Sequence, residues 1–199
     1  SIKLSPEQKK EYENRSMIRL DGLLKMVNDL LDISRMEMQT VHREIKRVCI
    51  HEVIASILEL FQIDINKKGI HVIFDQDEYK QCIKADSDEI TRLFTNLISN
   101  AIKYNREQGL ININLYQVDN YFVTEIKDSG IGLKPEEKQK LFTEFFCVMN
   151  DKTKNISGTG LGLSIVKRIV DSYSGKIEVE SDYGEGTTFK VFLPMIISD

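Results

Sequence analysis

The chain has 199 residues, of which 41% are hydrophobic and 29% charged, and its formal net charge is −4. This length fits one full domain with an appendage or two small domains, and the composition excludes wholesale disorder. A mildly acidic chain is a poor candidate for broad binding to nucleic-acid phosphates. No apolar run approaches the roughly 18 residues of a membrane-spanning helix, and we expect no signal peptide.

The three cysteines, Cys49, Cys82 and Cys147, lie far apart and contain no CxxC pair, and the three histidines show no metal-ligand spacing with them. An odd number of widely spaced cysteines does not make a disulfide framework. We therefore expect reduced thiols, as in a cytosolic protein, and neither a zinc site nor a disulfide scaffold.

The first predicted element is one long helix over residues 5–38. Ser5 as N-cap, Pro6 at the first helical position and Gln8 three residues after Ser5 form a helix-start pattern. Apolar residues then recur at helical spacing from Leu20 to Met36. A stripe of this width indicates packing against a partner helix, and packing against the chain's own domain is the alternative.

Shorter elements follow from residue 41 onwards. The apolar patterns predict strands over 44–48, 70–74, 81–84, 110–118, 121–127, 176–181 and 187–193, and helices over 50–66, 86–104, 135–141 and 162–173. Asp86 is the expected N-cap of its helix, and Gly69 and Gly175 are the expected C-terminal stops. Residues 110–127 are typical of a hairpin, and polar residues 150–158 of a mobile loop.

These elements predict an α+β fold. Its core is a two-layer α/β sandwich with a mixed, largely antiparallel sheet and helices on one face, and a long N-terminal helix precedes it.

The helix over 86–104 carries a polar ridge beside its apolar arc. Asn96, Asn100 and Lys103 occupy positions i, i+4 and i+7 of this ridge. Amide oxygens suit a hard cation, and an ammonium group suits phosphate. A solvated helix face explains the same pattern when the ridge is taken alone.

Two glycine-containing segments are further candidates for ligand binding. The segment DSGIG (128–132) follows a predicted strand; its glycines permit close approach of a ligand, and the Asp128 carboxylate could accept a hydrogen bond from an adenine amino group. A simple turn is the alternative. The segment GTGLGL (158–163) opens a helix, where backbone N–H groups bind phosphates. It is neither a Walker A loop nor a convincing dinucleotide fingerprint.

The combination of motifs is more specific than any one of them. In chain order they are LFTNLISNAIKYN (93–105), DSGIGL (128–133), LFTEFF (141–146) and GTGLGLSIVKRIVDSYSGKIEVESDYGEGTTFKVFLP (158–194). Over residues 43–195 the chain resembles the ATP-binding catalytic domain of sensor histidine kinases, in the gyrase, Hsp90, histidine kinase and MutL superfamily. The segment LLKMVNDLLDISRME (23–37) resembles the second helix of that family's dimerisation and phosphoacceptor hairpin. The resemblance implies two domains, a partial dimerisation and phosphoacceptor region over 1–40 and an ATP-binding catalytic domain over 41–199.

The resemblance also implies residue roles and the cofactors ATP and Mg²⁺. Asn100 resembles the magnesium ligand, and Asn96 resembles its polar partner one turn earlier. Lys103 would meet the phosphates, so that Asn96 and Lys103 are the implied catalytic residues. Tyr104 would lie against the nucleotide, and Asp128 would pair with the adenine amino group.

The resemblance extends to a lid over the nucleotide. Phe142 and Phe145 resemble its hinge, with core packing as part of their role, and residues 147–157 would form the lid itself. The implied nucleotide-binding residues are Asn96, Asn100, Lys103, Tyr104, Asp128, Gly130, Ile131, Gly132, Leu133, Phe142, Phe145, Lys154, Gly158, Thr159, Gly160, Leu161, Gly162, Leu163 and Thr187.

One position departs from the family pattern. Cys147 stands where the family often has Arg or Lys soon after the second lid phenylalanine. The loss removes one cation from a reaction that depends on positioning and electrostatics. Lys152 or Lys154 could compensate, and a weakened or non-catalytic domain is the alternative.

The resemblance implies transfer of the ATP γ-phosphoryl group to a histidine on the first helix of the hairpin, and then to an Asp of a response-regulator receiver domain. That first helix is not in the sequence, and His51-Glu52 lacks the Arg and Pro of the phosphoacceptor motif. We therefore expect a piece of a longer protein that binds ATP, contains no phosphoacceptor histidine and does not autophosphorylate.

The expected partners and location follow from the same family. The longer protein would form a homodimer in the cytoplasm, either free or as the cytoplasmic part of a membrane-anchored sensor. This chain itself would contact neither nucleic acid nor membrane. Two other functions are open: a nucleotide-binding regulatory or scaffold module (a pseudokinase) without phosphotransfer, and an ATPase or protein-serine kinase of the same superfamily.

Overall fold

The structure is a computed structural model, and it describes residues 5–37, 43–74, 82–148 and 158–195. In chain order the elements are α1 (Pro6–Glu37), β1 (Ile45–Cys49), α2 (Ile50–Leu60), α3 (Gln62–Lys68), β2 (His71–Phe74), β3 (Cys82–Asp86), α4 (Ser87–Lys103), β4 (Leu110–Val118), β5 (Tyr121–Asp128), α5 (Pro135–Gln139), α6 (Gly162–Ser172), β6 (Lys176–Asp182) and β7 (Gly186–Pro194).

A five-stranded sheet forms one layer, in the order β2-β4-β5-β7-β6. Strand β2 runs parallel to β4, and the other neighbours pair antiparallel. In β4 the residues Ile111, Ile113 and Leu115 are buried, so every second side chain faces the core. The predicted α+β sandwich with a mixed, largely antiparallel sheet is confirmed.

Helix α4 lies at the centre of the second layer, where it contacts α2, α6 and β5. Its buried residues include Ile90, Leu93, Phe94 and Leu97, whose spacing of three and four residues forms one apolar face. The Asp86 carboxylate accepts hydrogen bonds from the backbone N–H groups of the helix's first turn, which confirms Asp86 as the N-cap.

Helix α1 begins with the predicted capping box. The Gln8 N–H donates to Ser5 Oγ at 3.2 Å, and the Ser5 N–H donates to Gln8 Oε1 at 3.0 Å. Asp29 and Ile33 are buried, and α1 contacts α6. The stripe of large apolar residues from Leu20 to Leu31 is 43–63% exposed, so among the described residues only the far end of α1 packs on the chain's own domain.

The predicted helix over 50–66 is two helices, α2 and α3. Phe61 separates them with φ −93° and ψ 8°. The Phe61 N–H still donates to the Ile57 carbonyl, and the Phe61 carbonyl still accepts from the Ile65 N–H. The backbone hydrogen bonding thus continues across the break between α2 and α3. The apolar pattern of the sequence gave no sign of this break.

The two glycines predicted to end helices differ in backbone conformation. Gly69 adopts the left-handed conformation (φ 63°) after α3, as expected. After α6 it is Ser174 that does so, with φ 53°, while the Gly175 N–H donates to the Val170 carbonyl.

The expectation of three reduced thiols is wrong for Cys49 and Cys82, which form a disulfide. The two residues lie directly opposite each other in the antiparallel pair of β1 and β3. Only the register of this pair brings them together, because 33 residues separate them in the sequence. Cys147 is the free cysteine.

Candidate active site

A cavity opens between α4, residues 128–133 and residues 158–163. It is lined by Asn96, Asn100, Lys103, Tyr104, Asp128, Ile131, Gly132, Leu133, Leu141, Phe146, Cys147, Val148, Gly158, Thr159, Gly160, Gly162, Leu163, Thr187 and Phe189. Most of the residues expected to bind nucleotide therefore share one cavity, although they come from distant parts of the chain.

The polar ridge of α4 forms one wall of this cavity. The Asn96 side-chain amide donates to the Arg92 carbonyl at 3.0 Å, which fixes its orientation. The Asn100 amide has no hydrogen-bond partner among the described residues, so its oxygen is available to a ligand. The Lys103 ammonium lies 5.0 Å from the centroid of the Tyr104 ring.

Asp128 is a buried carboxylate at the inner end of the cavity, with 7% of its surface exposed. Burial raises the pKa of Asp128 to about 6, although hydrogen bonds from the Gly130 and Thr187 backbone N–H groups act in the opposite direction. Both donate to Oδ1, at 2.8 Å and 3.3 Å. Among the described residues none donates to Oδ2, which can take a donor from a ligand.

Ser181 supports this end of the cavity from behind. Its hydroxyl accepts from the Leu133 N–H at 2.9 Å, lies 2.9 Å from Thr187 Oγ1 and donates to the Gly186 carbonyl at 2.8 Å. It thereby ties the residues after Asp128 to β7. Sequence reasoning missed Ser181, because a lone serine in a strand carries no motif.

Two glycines after Asp128 are required by backbone packing. Gly132 has φ 62°, and a Cβ there would lie 2.0 Å from the Asp182 carbonyl oxygen. A Cβ on Gly130 would lie 2.3 Å from the Tyr104 carbonyl oxygen. Close approach of the backbone to its own neighbours is thus enough to explain both glycines, and access for a ligand is an additional consequence.

The second glycine segment approaches α4 and residues 142–146 equally closely. A Cβ on Gly162 would lie 2.6 Å from Asn96 Oδ1, and one on Gly160 (φ 73°) would lie 2.6 Å from the Phe145 carbonyl carbon. Helix α6 begins here without a side-chain cap. Its first N–H groups suit an anion from solution.

Thr159 links this segment to the N-terminal helix. Its hydroxyl donates to Asp29 Oδ2 at 2.7 Å and accepts from the Leu161 N–H at 3.3 Å. Asp29 lies on α1, 130 residues earlier in the chain. The sequence offered no signal for this contact, because Asp29 reads as one of several acids on a polar helix face.

Five residues of the expected set do not line the cavity or are not described. Phe142 packs against the core, Leu161 is fully buried in it, and Gly130 lies behind the wall. Phe145 is 56% exposed, with φ 61°. Lys154 lies outside the described residues, as do 149–157 of the expected lid. Their contacts with nucleotide stay predictions.

Apolar residues complete the walls. Sequence reasoning did not expect Leu141, Phe146 and Phe189 to bind nucleotide, because an apolar residue alone indicates core packing, and it expected Val148 only as part of the lid. The Cys147 thiol donates to the Gly158 carbonyl at 3.7 Å, so the residue that departs from the family pattern lies in the cavity wall.

Known proteins match this chain at both the sequence and the structure level. The family model described as "Histidine kinase-, DNA gyrase B-, and HSP90-like ATPase" matches residues 85–197. The sensor histidine kinase WalK of Bacillus subtilis is 32% identical over 181 residues, which are 87% of this chain and 29% of WalK. The sensor protein SrrB of Staphylococcus aureus is 32% identical over 97% of this chain and 33% of its own length. The chain thus spans about a third of these relatives.

A solved structure agrees with the sequence relatives. Histidine kinase ThkA, in complex with the response regulator protein TrrA, superposes with a TM-score of 0.76 and 28% identity, over 96% of this chain and 53% of that chain. Among the described residues, no helix is both long and apolar enough to cross a membrane. The family match and the relatives lead to one conclusion: the chain belongs to the histidine kinase-, DNA gyrase B- and HSP90-like ATPase family and contains the catalytic ATPase domain of a sensor histidine kinase.

Proposed function

We propose that the domain binds Mg–ATP in this cavity and transfers the γ-phosphoryl group to a histidine on a helix that precedes α1 in a longer protein. The observation that carries the proposal is the convergence of three groups. An available amide (Asn100), an ammonium (Lys103) and a buried carboxylate (Asp128) line one cavity beside the uncapped start of α6.

Asp128 would select the base. Its ionised Oδ2 accepts a hydrogen bond from the adenine amino group, while Oδ1 is held by the Gly130 and Thr187 N–H groups. Ile131 and Phe189 supply apolar surface for the base, and Tyr104 lies beside them in the wall. A carboxylate that accepts and cannot donate disfavours a base that presents a carbonyl oxygen there.

Asn100 would hold the metal ion. Mg²⁺ usually takes one or two protein oxygens and completes its octahedron with waters and substrate phosphates. A single available amide oxygen on a helix that also carries Lys103 fits this coordination preference. When bound, Mg²⁺ would neutralise phosphate charge.

The phosphates would lie between Lys103 and the start of α6, where Gly158, Thr159 and Gly160 line the cavity. The Lys103 ammonium and the N-terminal N–H groups of α6 attract and orient a polyphosphate. Cys147 supplies no charge to the terminal phosphate, and we assign that task to Lys152 or Lys154.

Transfer would require the acceptor helix of the longer protein. Phosphoryl transfer depends on in-line positioning of the acceptor imidazole more than on a strong base. The exposed stripe of α1 offers an apolar surface for that helix and for a second copy, as in a dimeric four-helix bundle. The relative ThkA was crystallised with a response regulator, which supports relay to a receiver-domain Asp. We also propose a cytoplasmic location for the domain, either in a free protein or in the cytoplasmic part of a membrane-anchored sensor.

The experiment compares this chain with a version extended by the preceding helix, each given Mg²⁺ and γ-labelled ATP. We expect acid-labile label on the extended protein and none on this chain. The matched variant Asn100→Ala of the extended protein should lose the label. Label on this chain alone, or none on an extended protein that binds ATP, would contradict the proposal.

A second function is a nucleotide-binding regulatory module without transfer, and Cys147 is the observation that favours it. The same experiment separates the two functions. An extended protein that binds Mg–ATP and stays unlabelled, alone and with a separate acceptor hairpin, would establish the regulatory module.

A further inference from the structure

The turn between α4 and β4 contains a buried amide, Asn105, with 7% of its surface exposed. Its Nδ2 donates to the Leu110 carbonyl at 3.1 Å. Its Oδ1 accepts from the Arg106 N–H at 3.0 Å and from the Ser129 hydroxyl at 3.3 Å. A Cβ on Gly109 would lie 2.2 Å from Oδ1, so the turn is closed tightly around this side chain.

Ser129 extends these contacts to the segment that carries Asp128. Its hydroxyl accepts from the Leu110 N–H at 2.8 Å, and its own N–H donates to the Leu110 carbonyl at 3.0 Å. The Ile131 N–H donates to the Tyr104 carbonyl at 3.1 Å. The turn after α4 and the base-binding segment are therefore one hydrogen-bonded unit.

Lys68, at the end of α3, fixes the helix side of this unit. Its ammonium donates to the carbonyls of Ile102, Lys103 and Asn105 at 2.9, 2.8 and 3.4 Å. These carbonyls lie at the C-terminal end of α4, where intrahelical donors are missing and a cation is favourable. Burial lowers the pKa of Lys68, while Asp64 and Glu107 act in the opposite direction.

We propose that Asn105 is a positioning residue that holds the two halves of the nucleotide site at a fixed separation. One half is Asp128, for the base; the other is the Asn100 and Lys103 end of α4, for the phosphates. Asn105 does not line the cavity. The inference rests on the proposed function, because it takes the base and the phosphates to bind at these two places.

The physical reason is the gain from binding one ligand at both ends. A ligand with two binding groups gains affinity only when the two subsites are already at the right separation. In a site whose chemistry depends on positioning, a misplacement of about 1 Å can lower the reaction rate on the order of a hundredfold, which shows how sensitive such sites are to geometry. Loss of Asn105 should therefore weaken a ligand that spans both halves and leave a ligand that uses one half almost unchanged.

The experiment measures ATP affinity by calorimetry and adenosine affinity by NMR shift titration, for the wild type and for Asn105→Ala. We expect the variant to weaken ATP about tenfold or more and adenosine less than about threefold. Ser129→Ala, which removes the bridging hydroxyl but keeps the backbone contacts, should weaken ATP by a smaller factor. If Asn105→Ala does not fold, the comparison of ATP with adenosine is made on Ser129→Ala instead.

The control is Tyr173→Phe, which removes two partly buried hydrogen bonds near the other end of α4, one donated to Glu89 and one accepted from the Asp86 N–H. It should alter stability without changing either affinity. An ATP affinity that stays at the wild-type value in Asn105→Ala, or equal losses for ATP and adenosine, would overturn the inference alone. A wild type that binds no ATP would overturn the proposed function and the inference with it.

Discussion

At the scale of single residues, burial governs the chemistry of Asp128. Its folded pKa of about 6 lies above the value of 3.8 for a free side chain. The folded protein therefore binds this proton more tightly than the unfolded chain does. As pH rises from about 4 to about 6, the unfolded carboxyl ionises first, and the domain loses stability that it does not regain above pH 6.

Asp128→Asn should remove this cost. At pH 8 we expect the variant to be about 1–3 kcal/mol more stable than the wild type in urea unfolding, and at pH 3.5 we expect little difference. The variant should lose ATP affinity, and the difference in ATP affinity between wild type and variant should grow as pH rises through about 6. A stability gain that is larger at pH 3.5 than at pH 8 would refute this account.

Gly132 shows how closely the backbone is packed at the site. Gly132→Ala places a Cβ 2.0 Å from the Asp182 carbonyl oxygen at φ 62°. We expect a loss of about 2–4 kcal/mol in the free energy of unfolding, together with weaker ATP binding. The control is Gly184→Ala, which has φ 95° but no neighbouring atom within 4 Å, and should cost about 1 kcal/mol. Equal losses of stability in Gly132→Ala and Gly184→Ala would mean that the contact with the Asp182 carbonyl does not cause the loss.

At the scale of elements, α4 carries the residues that we propose for the metal and the phosphates, and it is held at both ends. Asp86 caps its start, and Lys68 binds the carbonyls at its end. Burial opposes ionisation of Asp86, but hydrogen bonds from the Glu44, Glu89 and Asp88 N–H groups, with Arg43 nearby, lower its pKa. The stability that the ionised cap contributes is present above pH 4 and is lost on acidification.

Asp86→Ala should therefore cost about 1–2 kcal/mol at pH 7 and less at pH 3, as measured by urea unfolding at the two pH values. Asp88→Ala, an exposed acid in the same first turn, is the matched control and should cost well under 1 kcal/mol. A cost for Asp86→Ala that does not shrink on acidification would count against the charged cap.

The disulfide between β1 and β3 closes a loop of 33 residues. In the chain-entropy account, opening a loop of this length costs about 3–4 kcal/mol. We expect Cys49→Ser, or reduction of the wild type, to lower the midpoint of thermal unfolding clearly. Cys147→Ser, which removes the free thiol, should leave the response to reductant unchanged. A midpoint of thermal unfolding that does not change when reductant is added to the wild type would contradict the disulfide.

At the scale of the whole molecule, much of the architecture follows from the sequence. The α+β sandwich and the capping residues Ser5 and Asp86 are predictable, because apolar periodicity and local turn chemistry determine them. The cavity residues of the glycine motifs are predicted from the family resemblance of the combined motifs. Contacts between distant segments are not predictable. The Cys49–Cys82 bond depends on strand register, and Asp29 meets Thr159 only when α1 docks on α6.

The supporting residues of the site are equally hidden. Lys68, Asn105 and Ser181 act through backbone groups far away in the chain. Lysine near a helix end, asparagine in a turn and serine in a strand are common everywhere, so their identity predicts none of these contacts. The motifs thus locate the proposed nucleotide site, and the fold determines which residues support it.

The central claim is that Mg–ATP binds with its metal at Asn100. Calorimetric titration of ATP, with and without Mg²⁺, on the wild type and on Asn100→Ala tests it most directly, with Asn114→Ala on the other face of the sheet as control. We predict that Mg²⁺ tightens binding to the wild type and the control about tenfold or more, and that Asn100→Ala removes most of this gain. Binding whose dependence on Mg²⁺ survives in Asn100→Ala, or the absence of binding in the wild type, would contradict the account.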